Sequence, residues 1–174
     1  DKTIKSLKNL DPNNIEVVFI NDGSTDDTKE KLLSYSDKKN FKIFNQENKG
    51  LAESRNIAIS NSSAEWVTIL DHDDLFTPDR INFCNNFVNN LNHFKSNKIY
   101  FANCLIVKYA GSTLRFQDNH PIKKNKIKLN KKYCYYELLR HGCFLVSSTV
   151  LFNRNIINKI GSFDKKYNRT CDFD

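Results

Sequence analysis

Short apolar runs alternate with amphipathic segments along the first half of the chain. Residues 15–20 form a nearly continuous apolar run rich in β-branched side chains, which predicts a strand buried on both faces. Residues 25–35 begin with capping side chains and place Leu32 and Tyr35 on one helical stripe. The pattern therefore predicts a strand, a turn and a helix in succession.

The alternation continues with predicted strands at residues 41–44 and 66–70 and a helix at residues 50–60 between them. Strands that alternate with helices favour a mostly parallel sheet covered by helices on both faces. Five further elements are predicted: a helix at 78–94, a strand at 99–108, a helix at 133–140, a strand at 144–152 and a helix at 154–160. We expect an α/β fold.

Two acidic loops, residues 21–27 and 71–74, follow predicted strands, where such sheets bind ligands. Asp71, Asp73 and Asp74 lie within four residues. Like charges ~4 Å apart repel by about 4 kcal/mol at an effective dielectric constant near 20, and a divalent cation would relieve that repulsion. Carboxylate oxygens suit Mg²⁺ or Mn²⁺. The alternative is a solvated acidic loop or a helix N-cap.

The turn that begins at Asp22 offers backbone N–H donors and one carboxylate, although Asx turns of this kind are common. The turn is similar to the haloacid-dehalogenase phosphatase loop, but that loop needs a nucleophilic Asp where Ile20 stands, which excludes it. Arg55 lies about one and a half turns into the second predicted helix. Its partner is either a diphosphate or a neighbouring acid such as Asp22.

The charge is divided unevenly in this chain of 174 residues, whose net charge is +7. Residues 1–75 carry 10 basic and 14 acidic side chains, whereas residues 76–174 carry 17 and 6. A basic half suits nucleic acid, anionic lipid headgroups or phosphorylated small molecules. The lysine-rich run at residues 123–132 is either a solvated face or a contact with an anionic membrane surface.

Secretion and membrane insertion are not indicated. No apolar run approaches the ~18 residues of a membrane span, and the polar first residues do not form a signal peptide. The five cysteines are irregularly spaced and include no C-x-x-C pair. We expect a protein of the reducing cytosol.

Four stretches of the chain, taken in order, resemble the motifs of family 2 glycosyltransferases: EVVFINDGSTDDT, NKGLAESRNIAI, AEWVTILDHDDLFTPDRI and GSFDKKYNRTCDFD. The resemblance implies the GT-A nucleotide-diphospho-sugar transferase fold, a mixed, mostly parallel sheet flanked by helices on both faces. We expect residues 1–174 to be one domain that is incomplete at both ends, with a nucleotide-sugar-binding part at about 1–75 and an acceptor and catalytic-base part at about 76–174.

The resemblance also implies roles for the acidic loops. Asp22 matches the residue that contacts the nucleotide base, Arg55 the residue that helps to hold the nucleotide, and Asp71 the acid near the ribose. Asp73 matches the ligand of a Mn²⁺ or Mg²⁺ ion on the diphosphate, and Asp74 supports that site.

The late motif of this family carries the general base, and the resemblance assigns that role to Asp172. Cys171 stands where the family usually has Glu. Arg55 and Arg169 are candidates for electrostatic stabilisation, whereas His72 is left out of the predicted site.

The resemblance implies an inverting, metal-dependent enzyme that moves a sugar from a nucleotide-sugar, by default a UDP-sugar, to a hydroxyl of a glycan or glycolipid acceptor. We expect a role in bacterial cell-surface polysaccharide or glycolipid synthesis, a cytoplasmic location with peripheral contact at the inner face of the membrane, and no nucleic-acid partner. The alternatives are a non-catalytic or truncated nucleotide-binding remnant of this fold and a basic nucleic-acid-binding module.

Overall fold

A computed structural model describes residues 2–7, 10–89, 99–102, 105–110, 113–118, 136, 139–140 and 146–167. The helices are α1 Lys2–Ser6, α2 Thr28–Leu33, α3 Leu51–Asn61, α4 Pro78–Asn89 and α5 Ile157–Ile160. The strands are β1 Val17–Asp22, β2 Phe41–Gln46, β3 Trp66–Val67, β4 Ile99–Phe101, β5 Leu105–Ala110, β6 Thr113–Asp118 and β7 Val150–Asn153. Short 3-10 turns span Ser147–Thr149, Arg154–Ile156 and Lys165–Tyr167.

Strands β1 and β2 form a parallel pair, with Val17 opposite Phe41 and Asp22 opposite Gln46. Helices α2 and α3 both contact β1. This arrangement confirms the strand-helix-strand unit predicted from the apolar pattern. β1 begins and ends two residues later than predicted, so that it ends at Asp22 itself, and β2 extends two residues beyond its predicted end. The first acidic loop therefore begins inside a hydrogen-bonded strand.

The strands after β2 pair in the opposite sense. β7 lies between β3 and β4 and is antiparallel to both, with Trp66 opposite Asn153 and Phe101 opposite Val150. The predicted strand at residues 99–108 is instead two strands, β4 and β5, and β5 forms an antiparallel hairpin with β6, an element that was not predicted. Within the described residues, parallel pairing is restricted to β1 and β2.

A short turn at Ser147–Thr149 replaces the middle of the strand predicted at residues 144–152. The Thr149 hydroxyl and the Thr149 backbone N–H both donate to the Val146 carbonyl, at 2.7 and 2.8 Å. Ser and Thr side chains compete in this way with extended pairing. The turn is also held by Arg80, which donates to the Thr149 carbonyl at 2.7 Å. It presents Ser147 and Ser148 toward α3 and the second acidic loop.

The core lies between α3, β7 and α5. Its buried members are Ile59, Phe152 and Ile156, and the side chains that pack around them are Val67, Ile69, Val150, Ile157 and Phe163. Burial of one such side chain stabilises the fold by about 1.5–3 kcal/mol. The core therefore fixes α3 and the chain after α5 against one another. Among the residues with a described placement, no helix has the length and hydropathy to cross a bilayer.

Candidate functional site

The carboxylate of Asp22 connects the end of β1 to the start of α3. One oxygen accepts from Gln46 Nε2 at 2.7 Å and from the Lys49 backbone N–H at 2.8 Å, and the other accepts from the Gly50 backbone N–H at 2.8 Å. Burial acts to raise the pKa of Asp22, but these hydrogen bonds together lower it below its ordinary value. Asp22 is therefore held as a carboxylate by the loop before α3.

The first acidic loop is packed closely against that same segment. The buried side chain of Asn21 donates to Asn45 Oδ1 at 2.9 Å and accepts from the Ser24 backbone N–H at 3.1 Å. Gly23 has φ of 72°, and a Cβ atom there would lie 2.7 Å from the Asn48 backbone nitrogen. Only glycine fits this turn without displacement of the facing backbone.

Arg55 lies on the inner face of α3 and is 5% exposed. Its Nη2 donates to Asp71 Oδ1 at 3.2 Å and to Ser147 Oγ at 2.7 Å, and its guanidinium carbon is 5.6 Å from the centre of the Phe163 ring. A buried guanidinium needs such charged and polar partners. The sequence left either a diphosphate or a neighbouring acid as the partner of Arg55. In the structure Arg55 has an acidic neighbour, which is Asp71.

The second acidic loop is held from two sides. On one side, the Asp71 backbone N–H donates to Ser148 Oγ at 3.0 Å. On the other side, α1 supplies two hydroxyl groups: Thr3 Oγ1 donates to the His72 carbonyl at 2.7 Å, and Ser6 Oγ accepts from the Phe76 backbone N–H at 3.3 Å. The backbone of the loop is thus fixed at both ends.

The other two acids of this loop are left open. Asp73 is exposed and Asp74 is half-buried, and among the described residues neither carboxylate has a hydrogen-bond or ion-pair partner. No group of three or more His, Cys, Asp or Glu side chains in the described part of the chain could by itself hold a metal ion. Two free carboxylates fit a hard cation that takes its remaining ligands from water and a bound diphosphate.

The segment after α5 is attached to α3 by polar contacts. Asn56 Nδ2 donates to the Phe163 carbonyl at 2.9 Å, and Asn56 Oδ1 accepts from the Phe163 backbone N–H at 2.9 Å. Farther along, Lys165 Nζ pairs with Glu53 Oε1 at 2.9 Å. Helix α3 therefore contacts the beginning of the late motif as well as both acidic loops.

The structure brings Asp22, Arg55 and Asp71 together around α3 and places Asp73 and Asp74 in the loop that Asp71 begins. The other predicted side chains lie outside the described residues: Asp172, Cys171, Arg169 and the lysine-rich run at 123–132. Sequence reasoning did not assign four contacts to the donor site: Gln46 with Asp22, Asn56 with Phe163, Ser147 with Arg55 and Ser148 with Asp71. Adjacent serines within an apolar strand pattern were the available signal for the last two.

The family described as Glycosyl transferase family 2 matches residues 1–161 of this chain. Among curated proteins, an uncharacterized glycosyltransferase of Rickettsia typhi is 34% identical over 161 residues, which are 92% of this chain and 48% of that protein. The chain spans about half, or less, of the length of the five Rickettsia relatives it matches.

Among solved structures, residues 1–349 of S. aureus TarS in complex with UDP share 19% identity with this chain at a TM-score of 0.66, covering 98% of this chain and 48% of that one. The same protein in complex with UDP-GlcNAc has a TM-score of 0.62, with 93% of this chain and 44% of that one covered. These likenesses confirm the α/β architecture and the GT-A fold predicted from the sequence.

Proposed function

We propose, from the premise that the chain belongs to glycosyl transferase family 2, that it binds a nucleotide-diphospho-sugar and transfers the sugar to a hydroxyl group. The donor occupies the edge formed by the two acidic loops, and the acceptor side and the base belong to the later residues. We assign donor binding to about residues 1–75 and acceptor binding and catalysis to about residues 76–174.

The observation that carries this proposal is the position of α3 between the acidic loops. Its first turn follows Gly50, which binds Asp22, and Arg55 binds Asp71 five residues later, about 7.5 Å along the helix axis. A single rigid helix therefore sets the spacing between Asp22, at the end of β1, and Asp71, in the loop that follows β3. That spacing suits a nucleoside, whose base and ribose are joined at a fixed distance.

On the donor side, the chain orients the nucleotide and leaves two carboxylates for a cation. Asp22 lies toward the base, and Asp71, held by Arg55 and Ser148, lies toward the ribose. Asp73 and Asp74 would hold Mg²⁺ or Mn²⁺. When bound, that ion supplies Lewis-acid stabilisation of the charge on the departing nucleoside diphosphate.

On the acceptor side, we assign the general base to Asp172. Its carboxylate accepts the proton of the acceptor hydroxyl while that oxygen forms a bond to the anomeric carbon. The bond from the anomeric carbon to the diphosphate breaks on the opposite face, and its electron pair leaves with the nucleotide. Attack and departure on opposite faces invert the anomeric centre.

Two observations favour a UDP-sugar as donor and a surface glycan or glycolipid as product. The structurally similar TarS was solved with UDP and with UDP-GlcNAc, and several curated relatives are named as bacterial glycosyltransferases. The excess of basic residues after position 75 suits an anionic membrane surface. We therefore propose action in the cytoplasm at the inner face of the membrane.

Calorimetric titration of UDP and GDP, each with and without Mn²⁺, tests the donor site. We expect the wild type to bind one nucleotide in a metal-dependent manner and Asp73→Ala to lose at least about tenfold in affinity, the difference that 1.4 kcal/mol makes. Asp37→Ala removes an exposed carboxylate after α2 and is the matched control. Binding of neither nucleotide by the wild type would contradict the proposal, and binding without sugar transfer would favour the non-catalytic alternative.

A further inference from the structure

Asn56 satisfies both backbone polar groups of Phe163 with one side chain. Its amide nitrogen donates to the Phe163 carbonyl and its amide oxygen accepts from the Phe163 N–H, each at 2.9 Å. An amide group provides a hydrogen-bond donor and an acceptor side by side, whereas a carboxylate provides only acceptors and an aliphatic side chain provides neither. The side chain thus fixes the backbone of Phe163 in both position and orientation.

The Phe163 ring is where this attachment reaches the donor site. The ring packs against the core on one side, and the Arg55 guanidinium lies over it at 5.6 Å, within the range of cation–π attraction. Arg55 in turn donates to Asp71 and to Ser147. One series of contacts therefore runs from Asn56 through Phe163 and Arg55 to Asp71.

We propose that Asn56 is a positioning residue of the donor site: it sets the place of the Phe163 ring and thereby the geometry of the Arg55–Asp71 pair that faces the nucleotide. This inference rests on the proposed function. Asn56 itself touches no nucleotide in this scheme. Its neighbour Arg55 is buried between Asp71, Ser147 and the ring, so a shift of the ring displaces the guanidinium from its partners.

The variant Asn56→Asp makes the contact with Phe163 depend on pH, and UDP affinity then reports whether that contact positions the donor site. The carboxylate keeps one acceptor for the Phe163 N–H, but its second oxygen faces the Phe163 carbonyl and repels it. Protonation restores a donor at that position, and partial burial next to a carbonyl raises the pKa at which this occurs. The variant is therefore impaired at neutral pH and repaired at lower pH.

The experiment is a UDP titration, with Mn²⁺ present, of the wild type, Asn56→Asp and Asn61→Asp at about pH 8 and at about pH 5, the lower value being close to the raised pKa expected for a partly buried Asp. We expect Asn56→Asp to bind UDP about tenfold more weakly than the wild type at the higher pH and within about threefold at the lower pH, as loss of a partly buried hydrogen bond predicts. Asn61→Asp introduces the same charge into the same helix, where Asn61 Nδ2 donates to the Ile57 carbonyl at 2.8 Å and to Ser60 Oγ at 3.5 Å, both within α3. It should follow the wild type at both values.

A second pair of variants changes the Phe163 ring itself. This pair tests the positioning role even if Asn56→Asp fails to fold. Phe163→Leu removes the ring and keeps the backbone contacts with Asn56, whereas Phe163→Tyr keeps the ring. We expect UDP affinity to fall about threefold to fivefold in Phe163→Leu, the loss that one cation–π contact predicts, and to stay near wild type in Phe163→Tyr.

The outcomes separate the inference from the function on which it rests. A wild type that binds neither UDP nor GDP contradicts the proposed function and this inference together. A wild type that binds UDP beside an equally good Asn56→Asp, or beside one whose deficit is the same at both pH values, overturns the inference alone. Equal affinities of Phe163→Leu and Phe163→Tyr would overturn it as well.

Discussion

The two acidic loops, residues 21–27 and 71–74, differ in how the fold occupies their carboxylates. In the first loop, both oxygens of Asp22 accept hydrogen bonds from the chain itself, and these bonds lower its pKa. In the second, Asp71 is paired with Arg55, while Asp73 and Asp74 have no side-chain partner among the described residues. Cation binding by a loop therefore depends less on how many carboxylates the loop contains than on how many of them have no partner within the chain.

The comparison also bears on the role that the resemblance assigns to Asp22. Both oxygens of an ionised carboxylate accept hydrogen bonds, and both oxygens of Asp22 already do so, from Gln46 and from the backbone N–H groups of Lys49 and Gly50. A nucleotide base that reaches Asp22 must share an oxygen with one of these donors. The second loop needs no such exchange before a cation binds.

The largest expected effect on stability comes from breaking the ion pair of the second loop. Arg55→Met leaves the Asp71 carboxylate without its charged partner, and we expect the free energy of unfolding to fall by about 3 kcal/mol. This loss is at the lower end of the range for breaking a buried ion pair, because Asp71 is 26% exposed whereas Arg55 is 5% exposed. Urea denaturation measures the change.

The control for this change is the exposed ion pair between Lys31 and Asp27, which lies at 2.7 Å with side chains 53% and 64% exposed. Lys31→Met should change the free energy of unfolding by no more than about 0.5 kcal/mol, since solvent screens such pairs. Equal effects of the two substitutions would show that burial does not distinguish the pairs.

The next effect comes from the occupied carboxylate of the first loop. Asp22→Asn keeps one acceptor oxygen but turns an NH₂ group toward backbone donors, and we expect it to cost about 2 kcal/mol at neutral pH. Because the folded-state pKa of Asp22 is lowered, the wild-type carboxylate stabilises the fold fully above the ordinary Asp pKa of about 3.9 and loses this contribution as the pH falls through the folded-state value.

Denaturation of wild type and Asp22→Asn along a falling pH series checks this sign. The difference in unfolding free energy between them should be constant above about pH 4 and should shrink below it. Asp37→Asn, at an exposed site after α2, should stay within about 0.5 kcal/mol of the wild type at neutral pH. A gap for Asp22→Asn that widens as the pH falls would contradict the assignment.

A smaller effect is expected from the close packing of the first loop. Gly23→Ala places a Cβ 2.7 Å from the Asn48 backbone nitrogen at a φ of 72°, whereas Gly161→Ala, at a φ of 94°, meets nothing within 4 Å. Both substitutions strain the backbone by about 1 kcal/mol, but only the first also displaces a neighbour. Thermal unfolding should therefore show the lower melting temperature for Gly23→Ala, and equal values would argue against the close contact.

The sequence predicts the fold of the first loop well and its boundaries poorly. The apolar run that ends at Ile20 indicates β1, and the order of four motifs indicates the GT-A fold. The strand nevertheless continues to Asp22, because Asn21 and Asp22 are paired with Asn45 and Gln46 of β2. Polar side chains that bond to each other across strands interrupt the apolar pattern without interrupting the strand.

The partners of the second loop could not be predicted in the same way. The choice for Arg55 between a diphosphate and a neighbouring acid depends on which residues the fold brings to it. Its contact Ser147 is 92 positions away, and the Asn56–Phe163 contact spans 107 positions. Local periodicity carries no information on such pairs. The roles of Asp73, Asp74 and Asp172 remain predictions of the resemblance.

The smallest expected effect concerns the attachment of α1 to the second loop, and it separates stability from binding. Ser6 Oγ accepts from the Phe76 backbone N–H at 3.3 Å, a long hydrogen bond, so Ser6→Ala should lower the unfolding free energy by only about 0.5 kcal/mol. Ser60→Ala, which removes a hydroxyl bonded to Ile57 within α3, should have an effect of the same size.

The two variants should differ in the titration of UDP with Mn²⁺. We expect Ser6→Ala alone to bind UDP about twofold to threefold more weakly than the wild type, because the open carboxylates of Asp73 and Asp74 depend on a fixed loop backbone. Equal affinities would indicate that α1 stabilises the loop without shaping its open carboxylates.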